Sequence, residues 1–239
     1  MTLTEEQLEH LFREGYVLVP GLVSPEDAAA VLNAGRDRVG ESERWQATIF
    51  NHDAPETDPE IHRLLAHPRV VEAAEQYLGS APRVWYGMLA VVRAQGGDGL
   101  PWHQDNQYTH LLGGAMNIFI ALTPVCEEKG GLWIAPRSHW LGTQPSRRNE
   151  DTAPGHREAL VTPEGGFPLP PMSPGDACLF DRCTYHRSGK NTTGENRFAY
   201  AAQYQSENTR PAQTGKRDPK RLLATDLRRL QDETLAAKV

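Results

Sequence analysis

Thr4 and Gln7 have the spacing of a capping box, and Leu8, Leu11 and Phe12 fall on one helical face before Gly15, so the pattern predicts a short amphipathic helix stopped by glycine. Tyr16 to Val19 is a compact apolar run closed by Pro20-Gly21 and predicts a strand. Ser24-Pro25-Glu26-Asp27 then offers an N-cap, a proline at the first helical position and an acid at the third, predicting a helix to about Val39. Residues 40–60 lose periodicity and carry Pro55 and Pro59. Leu64, Leu65, Val70, Val71, Ala74 and Leu78 restore a helical pattern over Glu60 to Leu78, ending at Gly79. Residues 1–80 are therefore expected to form a mostly helical flank.

From Arg83 the texture changes. Val84 to Tyr86, Leu89 to Val92, Ala115 to Leu122, Leu132 to Ala135, Ala177 to Phe180 and Arg197 to Tyr204 are short β-prone runs separated by Gly and Pro clusters, which predicts a sandwich or barrel over 83–205. Gln144 to Pro174 is rich in Pro, Gly and charge without a clear period, and reads as a lid, a binding loop or a disordered segment. Residues 206–239 form a tail carrying Arg210, Lys216, Arg217, Lys220, Arg221, Arg228 and Arg229. It is expected to end in a helix and to present its charge to solvent.

A length of 239 residues suits one large all-β domain as well as two small ones, and the strand pattern favours a single domain over 1–239. A hydrophobic share of 38% excludes disorder as the main state. The net charge of −6 weighs against a nucleic-acid partner, which would require a basic face. No apolar run is long enough for a membrane span, and the opening segment lacks the features of a secretory signal, so a cytoplasmic protein acting on a small molecule is expected. The sequence carries no signal of oligomeric state. Three cysteines without a CxxC point to buried apolar thiols, not to a disulfide framework or thiolate zinc site.

Chemistry concentrates at Trp102-His103-Gln104-Asp105, where residues two apart on a strand present an imidazole and a carboxylate to one side. A lone His-x-Asp is close to what chance supplies in a chain with nine histidines, so a third ligand is needed. His186 follows the run Asp176 to Phe180 and precedes a strand bearing Arg197. Two histidines and one carboxylate on one face of a metal are the ligand pattern of non-haem Fe(II) oxygenases, and an arginine deeper in the barrel suits a dicarboxylate co-substrate. Taken singly, each histidine is an ordinary surface or hydrogen-bonded side chain, and Arg197 an ion-pair partner of Asp176 or Asp181. Their order along the chain is what gives them weight.

In these residues the chain resembles the phytanoyl-CoA dioxygenase-like family of Fe(II)/2-oxoglutarate-dependent oxygenases. The likeness covers most of the chain. It includes the opening helix, strand and Ser-Pro-capped helix, and His103-x-Asp105 as the proximal ligand pair. Gly130-Gly131-Leu132-Trp133-Ile134-Ala135-Pro136-Arg137-Ser138-His139 is similar to the central Gly-(Cys/Ser/Leu)-Leu-x-x-x-Pro-Gly-Ser-His signature, and Pro174-Gly175-Asp176 precedes the distal ligand His186. Ser188 and Arg197 stand two and eleven residues after that histidine, at the family's spacing. Arg137 departs from the signature's Gly, and no lysine precedes Lys129 to hold the keto-acid end of the co-substrate as in some members. Gln46, Thr48 and Asn117 are candidates for that duty.

The resemblance implies a mainly β protein, with a double-stranded β-helix (jelly-roll, cupin-like) core and flanking N-terminal helices. It further implies Fe(II) on His103, Asp105 and His186, and 2-oxoglutarate held by Arg197 and Ser188 beside Met88, Phe119 and Asn117. With O2 as the second co-substrate, the implied reaction is hydroxylation of a small metabolite with release of succinate and CO2. His139 is expected to support its turn. Candidate substrate contacts are Phe50, His52, Trp102, Gln107, Tyr108, Trp133 and Arg182. The alternatives are a zinc or manganese hydrolase, a cupin-like isomerase, or a non-catalytic metal-binding module on the same fold.

Overall fold

The computed structural model describes residues 1–39, 46–150 and 155–237, with the side chains of Gln46 and Ala47 outside that set. Helix α1 (Glu5–Glu14) begins on the expected capping box, Thr4 and Gln7 each bonding the other's backbone N–H, and ends at Gly15 in the left-handed region with φ 82°. Leu11 is fully buried, but Phe12 is 48% exposed and stacks on Tyr77 at 5.0 Å, so the apolar face is narrower than its spacing suggests. Helix α2 (Pro25–Gly35) starts on the Ser24 cap and passes into a 3-10 turn over Arg36–Arg38.

The single helix expected over 60–78 is divided into α3 (Pro59–His62), a 3-10 turn over Arg63–Ala66, and α4 (Pro68–Leu78). Pro68 causes the break, because its ring pushes His67 out of the helical region to φ −64° and ψ 129°. Helix α5 (Ala224–Ala236) closes the tail, as expected.

The strands are β1 (Tyr16–Val19), β2 (Gln46–Ile49), β3 (Arg83–Val92), β4 (Leu111–Leu112), β5 (Ala115–Ala121), β6 (Leu132–Ile134) and β7 (Ser146–Asn149), then β8 (His156–Ala159), β9 (Phe167–Pro168), β10 (Ala177–Asp181), β11 (His186–Ser188), β12 (Arg197–Gln205) and β13 (Arg210–Pro211). A six-stranded antiparallel sheet runs β1-β10-β5-β12-β3-β2, and a three-stranded sheet β11-β6-β9 packs against its inner face. These are the two walls of the expected jelly roll. Strand β2 escapes sequence pattern because it is short and bulged at Thr48, whose φ is 52°. Residues 144–150 and 155–174 are also more ordered than their composition implies. They hold the antiparallel β7–β8 pair, whose polar positions carry no apolar alternation to reveal them, and the two-residue strand β9.

Strand alternation decides what faces the site. On β5, Met116, Ile118 and Ile120 pack under the helices, while Phe119 and Ala121 pack toward the smaller sheet. On β12, Tyr200, Ala202 and Tyr204 join the helical core, leaving Arg197, Ala201 and Gln203 to line a cavity between the sheets.

One buried titratable group in the helical core gives a measurable consequence. His62 is 2% exposed, its Nδ1 lies 2.7 Å from the Tyr200 hydroxyl, and burial lowers its pKa to about 4. The unfolded chain takes up this proton near pH 6.5 and the folded chain does not, so stability is lost as pH falls from 6.5 toward 4. Urea titrations at pH 7 and 4.5 should show about 2–3 kcal/mol less of this loss in His62→Gln than in wild type. Equal losses would contradict the assignment.

Candidate metal and co-substrate site

The two histidines are brought together by the backbone. His103 and His186 form an isolated antiparallel bridge in which each N–H donates to the other's carbonyl at 3.0 Å. Gln104 is extended, and Asp105 begins a 3-10 turn over Asp105–Gln107. The His-x-Asp pair thus sits on a bridge and a turn, not on a regular strand as expected. The alternation still holds across Gln104, because that residue alone must be extended for its neighbours to share a side.

His103, Asp105 and His186 are all buried, and their ligand atoms lie within 4.8 Å of one another. His103 Nδ1 donates to the Pro101 carbonyl at 2.7 Å and His186 Nδ1 donates to that of Thr184 at 3.0 Å, so both rings turn Nε2 toward the shared space. Backbone carbonyls on the far nitrogens fix the tautomer that a metal requires. Burial and the adjacent His186 push His103 down to about 3, keeping it neutral. Burial alone would raise Asp105, but His186, Arg182 and the Asn117 hydrogen bond bring it below the ordinary carboxylate range. Neutral imidazole and ionised carboxylate are the states in which these groups ligate.

Asp105 is held on several sides. Its Oδ2 accepts from Asn117 Nδ2 at 2.9 Å and Gln203 Nε2 at 3.1 Å, while its Oδ1 faces His186 Nε2 at 3.8 Å. Arg182 donates to the Asp105 carbonyl at 3.0 Å and to Gln203 Oε1 at 2.7 Å. Asn117, expected beside the co-substrate, lines the cavity and is hydrogen-bonded to the Asp105 carboxylate. Gln203 was not foreseen, although its place six residues along a strand from Arg197 puts both on one face.

The cavity above these groups measures about 420 Å³. Of the expected residues, Phe50, His52, Met88, Tyr108, Asn117, Phe119, Arg182, Ser188 and Arg197 line it with the ligand set. Trp102, Gln107 and Trp133 do not. Trp133 opposes Arg187 on the outer face of the small sheet, because Leu132 and Ile134 take the inner positions, and the Arg187 guanidinium lies 4.0 Å over its ring. Trp102 packs against Gly166 beside the same arginine. Gln107 caps the Asp105 turn through the Gln104 N–H and donates to the Gln144 carbonyl. Thr48 does not line the cavity, and the Gln46 side chain lies outside the described residues. Trp85, Tyr86 and Arg221 line the cavity without having been foreseen. Their strand register and the return of the tail are long-range features.

Arg197 is 2% exposed at the start of β12. Its Nη2 donates to the Gly130 carbonyl at 3.0 Å and its Nε has no partner. Burial lowers its pKa to about 10, leaving it charged at neutral pH. The acids considered for it are engaged elsewhere, Asp176 with the Gly21 and Ser173 N–H groups and Asp181 with the Tyr77 hydroxyl and the Cys183 N–H. A buried cation without an acid costs several kcal/mol, which an anionic ligand would offset. In the signature turn, Arg137 adopts φ 62°, the conformation glycine would supply, and pairs with Glu14 through two nitrogens. His139 Nε2 donates to the Phe12 carbonyl, supporting the turn.

The hold on Asp105 is testable in binding. Asn117→Ala should weaken Fe(II) binding by about 10–100-fold while leaving the circular dichroism spectrum unchanged, as loss of a carboxylate's orienting partner does. Unchanged metal affinity in anaerobic competition with a chelator would contradict that role.

Comparison with known proteins agrees with this geometry. The profile of the family described as Phytanoyl-CoA dioxygenase (PhyH) matches residues 12–199, well over half of the chain. L-proline trans-4-hydroxylase of Streptomyces griseoviridis is 27% identical over 229 residues, covering 84% of this chain and 85% of that protein. Ectoine dioxygenase of Streptomyces avermitilis is 28% identical over 221 residues, covering 80% and 75%. The crystal structure of the non-heme alpha ketoglutarate dependent epimerase SnoN, from nogalamycin biosynthesis, superposes with a TM-score of 0.68 at 25% identity, covering 86% of this chain and 84% of that one. Among the described residues no helix is long and apolar enough to cross a membrane. The chain belongs to the phytanoyl-CoA dioxygenase family, and it is a 2-oxoglutarate-dependent dioxygenase on that family's jelly-roll fold.

Proposed function

We propose that this chain hydroxylates a small polar metabolite, with His103, Asp105 and His186 holding Fe(II) and with Arg197 and Ser188 holding the far carboxylate of 2-oxoglutarate. The observation that carries the reading is the pairing, in one cavity, of a two-histidine, one-carboxylate cluster with a buried arginine that has no acid partner among the described residues. Two imidazoles and a carboxylate suit Fe(II) and leave coordination positions for co-substrate. When bound, Fe(II), 2-oxoglutarate and O2 supply the oxidation of a substrate C–H to C–OH, with 2-oxoglutarate converted to succinate and CO2.

The residues of the chain select, orient and exclude. Arg197 offers Nε and its remaining guanidinium edge to the distal carboxylate, with the Phe119 ring 5.4 Å from its charge and Met88 and Leu132 forming apolar wall. Ser188, on the inward face of β11 beside His186, adds a hydroxyl. Asn117 and Gln203 keep Asp105 Oδ2 occupied, so that Oδ1 is presented to the metal. Phe50, His52 and Tyr108 line the part of the cavity assigned to the substrate, and bound substrate there excludes water from the reacting centre. A cavity of about 420 Å³ that must also hold co-substrate suits a small metabolite better than an acyl-CoA. A hydrolase on the same ligands would have no use for the buried Arg197, and the relatives named proline hydroxylase and ectoine dioxygenase favour hydroxylation.

Anaerobic addition of Fe(II) and then 2-oxoglutarate should produce the weak visible charge-transfer band of a chelated keto acid. Arg197→Ala should keep Fe(II) affinity and weaken 2-oxoglutarate binding by about 30-fold or more, as loss of one partner of a buried charge pair does. Normal co-substrate binding in Arg197→Ala would remove the clamp assignment. Absence of the band in wild type, with tight Zn(II) binding instead, would overturn the oxygenase reading of the site.

A further inference from the structure

Arg182, Arg197 and Arg221 all line the cavity, whereas Asp105 is its one acid among the described lining residues. With Arg197 assigned to co-substrate, two guanidiniums remain near Trp85. Arg221 lies 4.2 Å from the Trp85 ring centroid and Arg182 5.4 Å from it. Arg182 is 3% exposed, and its Nε has no hydrogen-bond partner. Arg221 reaches the cavity from the tail, beyond the stretch matched by the family profile. It is fixed by Asp218 Oδ2, 2.9 Å from its Nε, and by the Trp85 carbonyl, which accepts from its Nη1 at 3.1 Å. The same carbonyl accepts from His52 Nε2 at 2.9 Å, which joins His52 to the cluster.

We propose that Arg221 and Arg182, set around the Trp85 ring, form a carboxylate-binding subsite for the primary substrate, so that the molecules oxidised are small carboxylates whose body lies against Trp85 and Phe50. This inference rests on the oxygenase reading for what happens to the bound molecule, but not for its recognition. Arg182 donates its hydrogen bonds to neutral oxygens, the Asp105 carbonyl and Gln203 Oε1, and only Arg221 of the two is paired with a carboxylate, that of Asp218. With the Asp105 carboxylate assigned to the metal, one positive charge is left in a low-dielectric cavity for one ligand carboxylate to match. The planar guanidinium fork favours a carboxylate over a neutral amide of the same shape, and Trp85 both orients the Arg221 fork and offers an apolar face to the ligand.

The test compares matched probes, L-proline with L-prolinamide and benzoate with benzamide, by calorimetric titration into protein loaded anaerobically with Fe(II) and saturating 2-oxoglutarate. The charge-transfer band is read on the same samples, so a missing band reports failure of the oxygenase reading separately. In at least one pair the carboxylate should bind about tenfold or more tightly than its amide. Arg221→Gln should cut that preference to about threefold or less with 2-oxoglutarate affinity unchanged. Asp218→Asn, which frees Arg221 from its internal acid, should strengthen carboxylate binding, an increase that a merely structural pairing would not give. Equal binding of carboxylate and amide, binding by neither member of either pair, or a preference retained in Arg221→Gln would overturn the proposal.

Discussion

Two hydrogen bonds between the backbones of His103 and His186 are the constraint on which the site depends. They bring residues 83 positions apart in sequence into one bridge, set the imidazole centroids 4.2 Å apart, and tie the Asp105 turn to the edge of the smaller sheet. Because the bridge is made of main chain, its two hydrogen bonds call for no particular side chain at either position. What the side chains add is protonation state. Carbonyls of Pro101 and Thr184 hold the tautomers, burial keeps His103 neutral, and Asn117 and Gln203 with the nearby cations keep Asp105 ionised.

The same interior is electrostatically unfinished. Among the described residues Arg182 and Arg197 donate only to neutral oxygens, so the cavity holds cations without a bonded acid, and folding bears the desolvation cost. Part of that strain is returned when anions enter, so stability given up by the free protein reappears as ligand affinity. The helical layer on the far side of the large sheet supplies the compensation in packing. Its Ile61, Leu64 and Leu65 are almost fully buried with Tyr204 of β12, and the strand alternation that turns Tyr204 to the helices also turns Arg197 and Gln203 to the cavity.

The parts of this arrangement carried by local spacing were legible in the sequence. Caps at Thr4 and Ser24, the stops at Gly15 and Gly79, and the spacings within His103-x-Asp105 and within His186, Ser188 and Arg197 depend on residues close together in the chain. Pro68 was equally local, and its effect on His67 is what divides the expected helix. Trp133 was misplaced because alternation says that neighbours face opposite ways without saying which way is in. Only pairing of β6 with β11 settles that. The β7–β8 pair lay beyond reach because its polar positions carry no apolar period, and Arg221 because its place beside Trp85 is set by the return of the tail, 136 residues away in sequence.

The central claim is that this one cavity binds Fe(II) through His103, Asp105 and His186 while Arg197 receives the co-substrate. A crystal structure of the anaerobic complex with Fe(II) and 2-oxoglutarate, with anomalous data at the iron edge, tests it most directly. Iron is expected on Nε2 of both histidines and Oδ1 of Asp105, with the distal carboxylate of 2-oxoglutarate on Arg197. Iron bound elsewhere, or 2-oxoglutarate leaving Arg197 without a carboxylate, would contradict it.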